Sequence, residues 1–232
     1  MMTTTTTETL AISKDTLNVF KNFASINSNI LVKEGNEITT ISPLKNILAK
    51  ATVDETFPSQ FGIWDLGKFL ATVSLFDSPT FEFNGTNMKI SGSSNSSVKY
   101  HYSDPALLTV PTKDLTMPDS VVSFTLTEAK FAEAQKAASV LQVPDMAITN
   151  DGDTLCLVVL DKADPSSNQY SIELGSTTTG NDFCFYFKAE NLKLLSGDYE
   201  VEISEKVVSQ FTHKDISLQY WIALESDSTY NG

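Results

Sequence analysis

The sequence predicts an α+β protein made of two similar domains, each with two helices packed on antiparallel sheets. Three observations predict it. Turn signals recur between short β-rich segments, only four segments read as helices, and the order of elements repeats in the two halves of the chain.

The turn signals are Glu34-Gly35-Asn36, Asn84-Gly85, Asp151-Gly152 and Ser196-Gly197-Asp198. Between them, residues 29–33, 81–83, 98–102, 155–160, 170–174, 199–203 and 218–224 are rich in β-branched and aromatic side chains. Asn-Gly and Asp-Gly flanked by such runs signal hairpins. The helices are expected over 13–26, 65–75, 127–140 and 188–195. Ser13, Asp65 and Thr127 open the first three, as residues whose side-chain oxygens accept from otherwise orphaned backbone N–H groups.

Helix, turn and strands run from Ser13 to Gly35 and again from Thr127 to Gly152, over 22 and 25 positions. An apolar strand leads into a short helix at 61–75 and again at 184–195. The segment 103–120, with three prolines and no periodicity, reads as a linker. The expected boundaries are therefore domain 1 over 12–102, domain 2 over 121–232, and a frayed, disordered tail over the Thr-rich residues 1–11.

At 232 residues and 41% hydrophobic, the chain can bury a core and is not a disordered protein. It carries 29 acidic residues against 16 basic ones, all Lys, for a net −13. Such a chain is a poor general coat for phosphates, but net charge says nothing of where the cations lie. The four predicted helices, 47 residues in all, hold seven Lys against five acids and net +2, while the other 185 residues net −15.

At 100° per residue, Leu17, Phe20, Phe23 and Ala24 form the apolar face of the first helix, opposite Lys14, Asn18, Lys21 and Ser25. In the second, Lys68 and Ala71 oppose Leu66, Phe69, Leu70 and Val73. In the third, Ala132, Lys136 and Ser139 oppose Phe131, Ala134, Ala138 and Leu141, with Lys130 nearer the apolar flank. One reading of an exposed Lys is ordinary solubility. The other is a surface for the phosphate backbone, mildly positive and with short side chains, which the repetition in a very acidic chain favours. The lack of Arg and of exposed aromatics argues against base readout and single-strand stacking.

Four segments then carry a resemblance: ISKDTLNVFKNFASINSNILVKEG (12–35), WDLGKFLATVSL (64–75), LQV…MAIT…DG (141–152) and WIALESDST (221–229). They resemble the T-even-type phage sliding clamps, the processivity factors of DNA polymerase, in order along nearly the whole chain. The similarity is weak over 36–60, 76–100 and 160–182. This resemblance implies the DNA-clamp fold and a head-to-tail homotrimeric ring that encircles duplex DNA. It also implies opening by an ATP-driven clamp loader, binding of the replicative polymerase by its C-terminal peptide, and support of late transcription. The implied place of work is the cytoplasm of the infected bacterial host. The DNA-facing role carries over to Lys14, Lys21, Lys68 and Lys136, and the helix tally adds Lys130, Lys188 and Lys193.

Leu107, Leu108, Val110, Leu115 and Met117 make the linker apolar. They either line a partner-peptide groove or pin the linker to domain 2. Exposed sheet edges invite pairing, and the candidates for subunit contacts are Val98, Tyr100 and Tyr102 with Tyr170, Ile172 and Leu174.

Catalysis, metals and cofactors find no constellation. His101 and His213 lack metal-ligand spacing, no phosphate loop or nucleophile motif occurs, and 150–153 reads as a hairpin turn rather than a calcium loop. Cys156 and Cys184 fall in apolar strands and read as buried free thiols in preference to a disulfide. The start of the chain lacks the basic and apolar regions of a secretory signal, and no run reaches membrane-span length. The chain is thus expected to be soluble and intracellular. A β-rich phage structural or adhesin-type module is the alternative, and a β-rich hydrolase the more distant one.

Overall fold

A computed structural model describes residues 8–113, 115–177 and 179–231. The chain divides into two compact units, Met1–Thr112 and Lys113–Gly232.

Unit 1 contains β1 (Glu8–Ala11), α1 (Lys14–Ile26), β2 (Ile30–Val32), β3 (Gly35–Ile41), β4 (Ile47–Phe57), β5 (Phe61–Ile63), α2 (Leu66–Val73), β6 (Thr80–Asn84), β7 (Asn87–Ser91) and β8 (Ser97–His101). One antiparallel sheet has the order β1-β6-β7-β8. The strands β3 and β4 form a hairpin, and β2 pairs with β5. Residues 8–11 therefore belong to a strand, paired with β6 from Glu8↔Phe83 to Ala11↔Thr80, and not to the expected tail. Residues 1–7 of that tail lie outside the described residues. The core is aromatic: Phe20, Phe57 and Phe61 meet edge-on in sequence at 6.3 and 5.6 Å, and Phe69 meets Phe81 at 5.7 Å and Tyr100 at 5.0 Å. Offset and T-shaped pairs of this kind add to the burial of the rings themselves.

Unit 2 contains β9 (Val122–Leu126), α3 (Glu128–Leu141), β10 (Asp145–Asp151), β11 (Thr154–Leu160), β12 (Tyr170–Ser176), β13 (Phe183–Lys188), β14 (Tyr199–Ser204), β15 (Val208–His213), β16 (Leu218–Ala223) and β17 (Thr229–Tyr230). One sheet has the order β12-β11-β10-β13-β17, and β16, β15, β14 and β9 are successive neighbours in another. Phe131 of α3, Met146, Ile148, Leu157, Phe187, Leu192 and Phe211 meet in the core. The Asp151-Gly152 turn closes the β10–β11 hairpin as its sequence requires, with Gly152 at φ +56°.

Ser13, Asp65 and Thr127 each accept a backbone N–H as N-caps, so three helices begin where their sequences indicate. The expected fourth helix does not form. Residues Ala189–Asn191 make one 3-10 turn, and Tyr220 and Tyr199 hold the backbone beyond it. Leu195 N–H donates to the Tyr220 hydroxyl at 3.1 Å, and the Tyr199 hydroxyl donates to Leu195 O at 2.6 Å. Backbone groups engaged in this way are unavailable to a helical ladder.

Just past that point, Gly197 sits at φ +141°, and a Cβ there would lie 2.1 Å from His213 Nε2. The ring cannot retreat. Its Nδ1 accepts from Asp215 N and Ile216 N at 3.0 and 3.3 Å, so Nε2 carries the proton and donates to Ser196 O at 3.1 Å. Gly197→Ala is expected to cost at least about 2 kcal/mol from overlap and backbone strain together. A urea midpoint equal to that of the parent chain would contradict this account.

Candidate nucleic-acid interface

The helix faces are where the periodicity puts them. On α1, Lys14, Asn18, Lys21 and Ser25 are all exposed; so are Lys68 and Ala71 on α2, and Ala132, Lys136 and Ser139 on α3. The buried side of α1 differs in detail. Thr16, Val19, Phe20, Phe23 and Ile26 are buried, whereas Leu17 and Ala24 are only half-buried.

Thr16 is inside because of Glu55. The strand β4 alternates inward and outward, and Glu55 falls on an inward position among Val53 and Phe57. Its carboxylate accepts from the Ser13 backbone N–H and, in a short bond, from the Thr16 hydroxyl. Burial pushes the Glu55 carboxyl up, but these hydrogen bonds outweigh it and hold the group below its ordinary 4.5. An ionised side chain thus caps the first turn of α1, where the helix dipole also favours negative charge.

Lys68 is 84% exposed at its side chain and lies 3.2 Å from Asp65. The backbone N–H of Lys68 and its ammonium hold the Asp65 carboxyl below its usual range. An exposed pair of this kind is weak and leaves the ammonium open to another anion. Lys188 is different: it is half-buried and bonded at 2.6 Å to Asp145, whose side chain is 1% exposed. Removing it would leave a buried charge unpaired, so Lys188 holds Asp145 and is not an open cation like Lys68. Lys130 is also half-buried and donates to Leu174 O at 3.4 Å. Lys193 is half-buried and lies past the 3-10 turn, off any helix. Lys14, Lys21, Lys68 and Lys136 remain as exposed helix cations.

The expected lack of exposed aromatics is also corrected. Trp64, directly ahead of the α2 N-cap, is 58% exposed, whereas Trp221 is buried.

The linker is tied to unit 1 in its first half. Ser103 N–H donates to Gly62 O at 2.9 Å, Thr109 N–H donates to Asn29 Oδ1 at 2.8 Å, and Asn27 Nδ2 donates to Thr109 O at 3.2 Å. Leu108 is buried, and its Cδ1 lies 2.8 Å from where a Cβ on Gly62 would stand. It is therefore an anchor to unit 1 and not an open groove wall. Leu107 is 65% exposed and Leu115 is exposed, with Val110 and Met117 half-buried.

Both strand-edge candidates end their sheets: β8 is the last strand of its sheet and β12 the first of its own. Tyr100 packs on Phe69 of α2, and Tyr102 stacks at a tilt on Phe61 with its hydroxyl pushed up to about 12 by burial. Cys156 and Cys184 are free thiols, half-buried rather than buried. Among the described residues no group of three or more His, Cys, Asp or Glu side chains could hold a metal, and no helix is long and apolar enough to cross a membrane.

This arrangement has relatives. The sliding clamp of Escherichia phage RB69 is 30% identical over 233 residues, covering 96% of this chain and all of the relative. The chain belongs to the phage sliding-clamp family. The sliding clamp of Vibrio phage KVP40 is 28% identical over 222 residues, again covering all of the relative, and the family model "gp45 sliding clamp, C terminal" matches residues 124–226.

The clamp fold extends to distant structures. The PCNA2–PCNA3 complex of Sulfolobus tokodaii superposes with a TM-score of 0.70 at 12% identity, covering 95% of this clamp and all of that chain. The A. fulgidus PCNA solved with the C-terminal region of FEN-1 gives 0.66 at 13%, covering 92% and 96%.

Proposed function

We propose that this sliding clamp assembles head to tail as a homotrimer around duplex DNA and tethers the replicative polymerase to it. The exposed helix faces bearing Lys14, Lys21, Lys68 and Lys136 line the passage. They meet phosphates electrostatically, without regard to sequence, and their short neighbours permit movement along the duplex. The acidic remainder keeps the outside of the ring from adhering to DNA, since three chains at −13 carry −39. The observation that carries this reading is the concentration of exposed helix ammonium groups on a chain that is otherwise strongly acidic.

The ring is closed by pairing between copies at the β8 and β12 edges, with Val98, Tyr100, Tyr102, Tyr170, Ile172 and Leu174 at the seam. The C-terminal peptide of the polymerase docks beside Leu107, Val110, Leu115 and Met117. An ATP-driven loader opens the ring on primed DNA, and late-transcription factors use the same docking surface. The clamp itself is non-catalytic and works in the cytoplasm of the infected bacterial host.

Sedimentation across a dilution series is expected to show a species near 76 kDa, three times the 25.4 kDa chain. That species should remain on nicked circular DNA and run off when the circle is cut. A monomer at high micromolar concentration, or equal retention on circular and linear DNA, would overturn the proposal.

A further inference from the structure

At Trp64 the chain leaves a strand pair and enters the helix layer of unit 1. The β2–β5 ladder ends at Ile63 opposite Ile30, and Leu66 N–H then donates to Ser28 O at 2.7 Å. That bond ties the start of α2 to the segment just past α1, with Trp64 beside the junction.

Trp64 is not used there for packing. A hydrophobic residue just ahead of an N-cap often staples onto the fourth residue of its helix. That residue is Phe69, which is fully buried and whose ring already meets Phe81 and Tyr100. The Trp64 indole stays 58% exposed, whereas Trp221 is buried and donates its N–H to Gln210 Oε1 at 2.7 Å. Tyr170, the other exposed aromatic among the described residues, is engaged by Glu133 through its hydroxyl.

The exposed residues around Trp64 form a row. Lys21, Ser25 and Ser28 are exposed along the second half of α1 and just beyond it, and Gly67, Lys68 and Ala71 are exposed along α2. The Ser28–Leu66 bond joins the two sets, with Trp64 at the join. An ammonium thus lies to either side of the indole, with small residues between. The one carboxylate nearby, Asp65, is engaged by the Lys68 backbone N–H and ammonium.

We infer that Trp64 is a duplex-contact residue of the passage, its indole lying against the deoxyribose of the strand whose phosphates Lys21 and Lys68 meet. This rests on the ring reading above. Contacts to sugar and phosphate hold a protein on DNA without reading its sequence. An indole is flat, mostly apolar and uncharged, so it covers sugar C–H groups and releases no counterion. Its contact persists at salt concentrations that weaken the ammonium contacts beside it.

The test uses the ring loaded on nicked circular duplex. Trp64→Ala should lower retention by about threefold or more through lost apolar contact, at a ring mass unchanged by sedimentation. The slope of log retention against log salt should stay at the parent value, whereas Lys68→Gln should flatten it by roughly 0.9 for each copy in contact. Trp64→Phe should restore most of the retention. In the parent, acrylamide quenching of the emission that Trp64→Phe removes should fall once the ring is on the duplex. A parent that is not retained on the circle would sink the ring reading itself. With the parent retained, any of three results overturns the Trp64 contact: quenching that does not change on loading, Trp64→Ala retention equal to the parent, or shielding that appears only on circles with a single-stranded gap.

Discussion

Changing Lys14 and Lys21 together to Glu is expected to reduce retention of the loaded ring on circular DNA by on the order of tenfold or more near physiological salt. Both ammonium groups sit on the exposed face of α1, and reversal replaces two attractions with two repulsions in every copy. The salt dependence should change as well. Each phosphate contact contributes a slope of roughly −0.9 to log affinity against log salt, so the parent should lose retention more steeply than the variant. Reversing Lys33, which is exposed but off the helices, serves as the control and should have a far smaller effect. Retention and processivity equal to the parent, with the ring intact by sedimentation, would show that α1 does not face the duplex.

Glu55→Gln is expected to destabilise unit 1 by about 1–3 kcal/mol at neutral pH, because a buried carboxylate that accepts two hydrogen bonds is exchanged for an amide that matches them poorly. The sign of the pH dependence follows from the direction of its shift. The folded state holds Glu55 below its ordinary 4.5, so the unfolded chain binds the proton first as pH falls. The stabilisation is complete above that value and is lost as pH drops through and below it. The parent should therefore lose stability on acidification below about pH 5, with a share of that loss missing in the variant. Unfolding midpoints taken from pH 7 to pH 4 would decide it: parallel curves for the two proteins would remove Glu55 from the account.

Much of this was legible in the sequence where a local signal and a tertiary contact agree. Ser13, Asp65 and Thr127 announce their helices, and each one caps as read. The exposed helix faces follow from periodicity alone because solvent imposes no further demand. The misreadings come from contacts that no local pattern carries. Residues 188–195 have helical spacing, but Asp145 takes Lys188 and two tyrosine hydroxyls take Leu195. Thr16 and Glu55 are 39 positions apart, and neither explains the other's burial until both are seen. A signal for β4 was available, since Ile47, Ala49, Ala51, Val53 and Phe57 alternate at period two. In that alternation Glu55 is the one discordant residue, and such a residue is worth flagging as a buried ion. Strand β1 was masked by the Thr run before it, although Thr suits strands.

Phe69 deserves a last consequence. Its ring stands T-shaped against both Phe81 and Tyr100, so one side chain fills the gap between the helix that bears Lys68 and the strand that ends the sheet. Packed protein interiors are stiff and barely compress. Phe69 therefore ties the backbone of α2 to the strand edge by direct packing, so that a change of side chain at this one position would loosen both the helix that carries Lys68 and the edge strand β8.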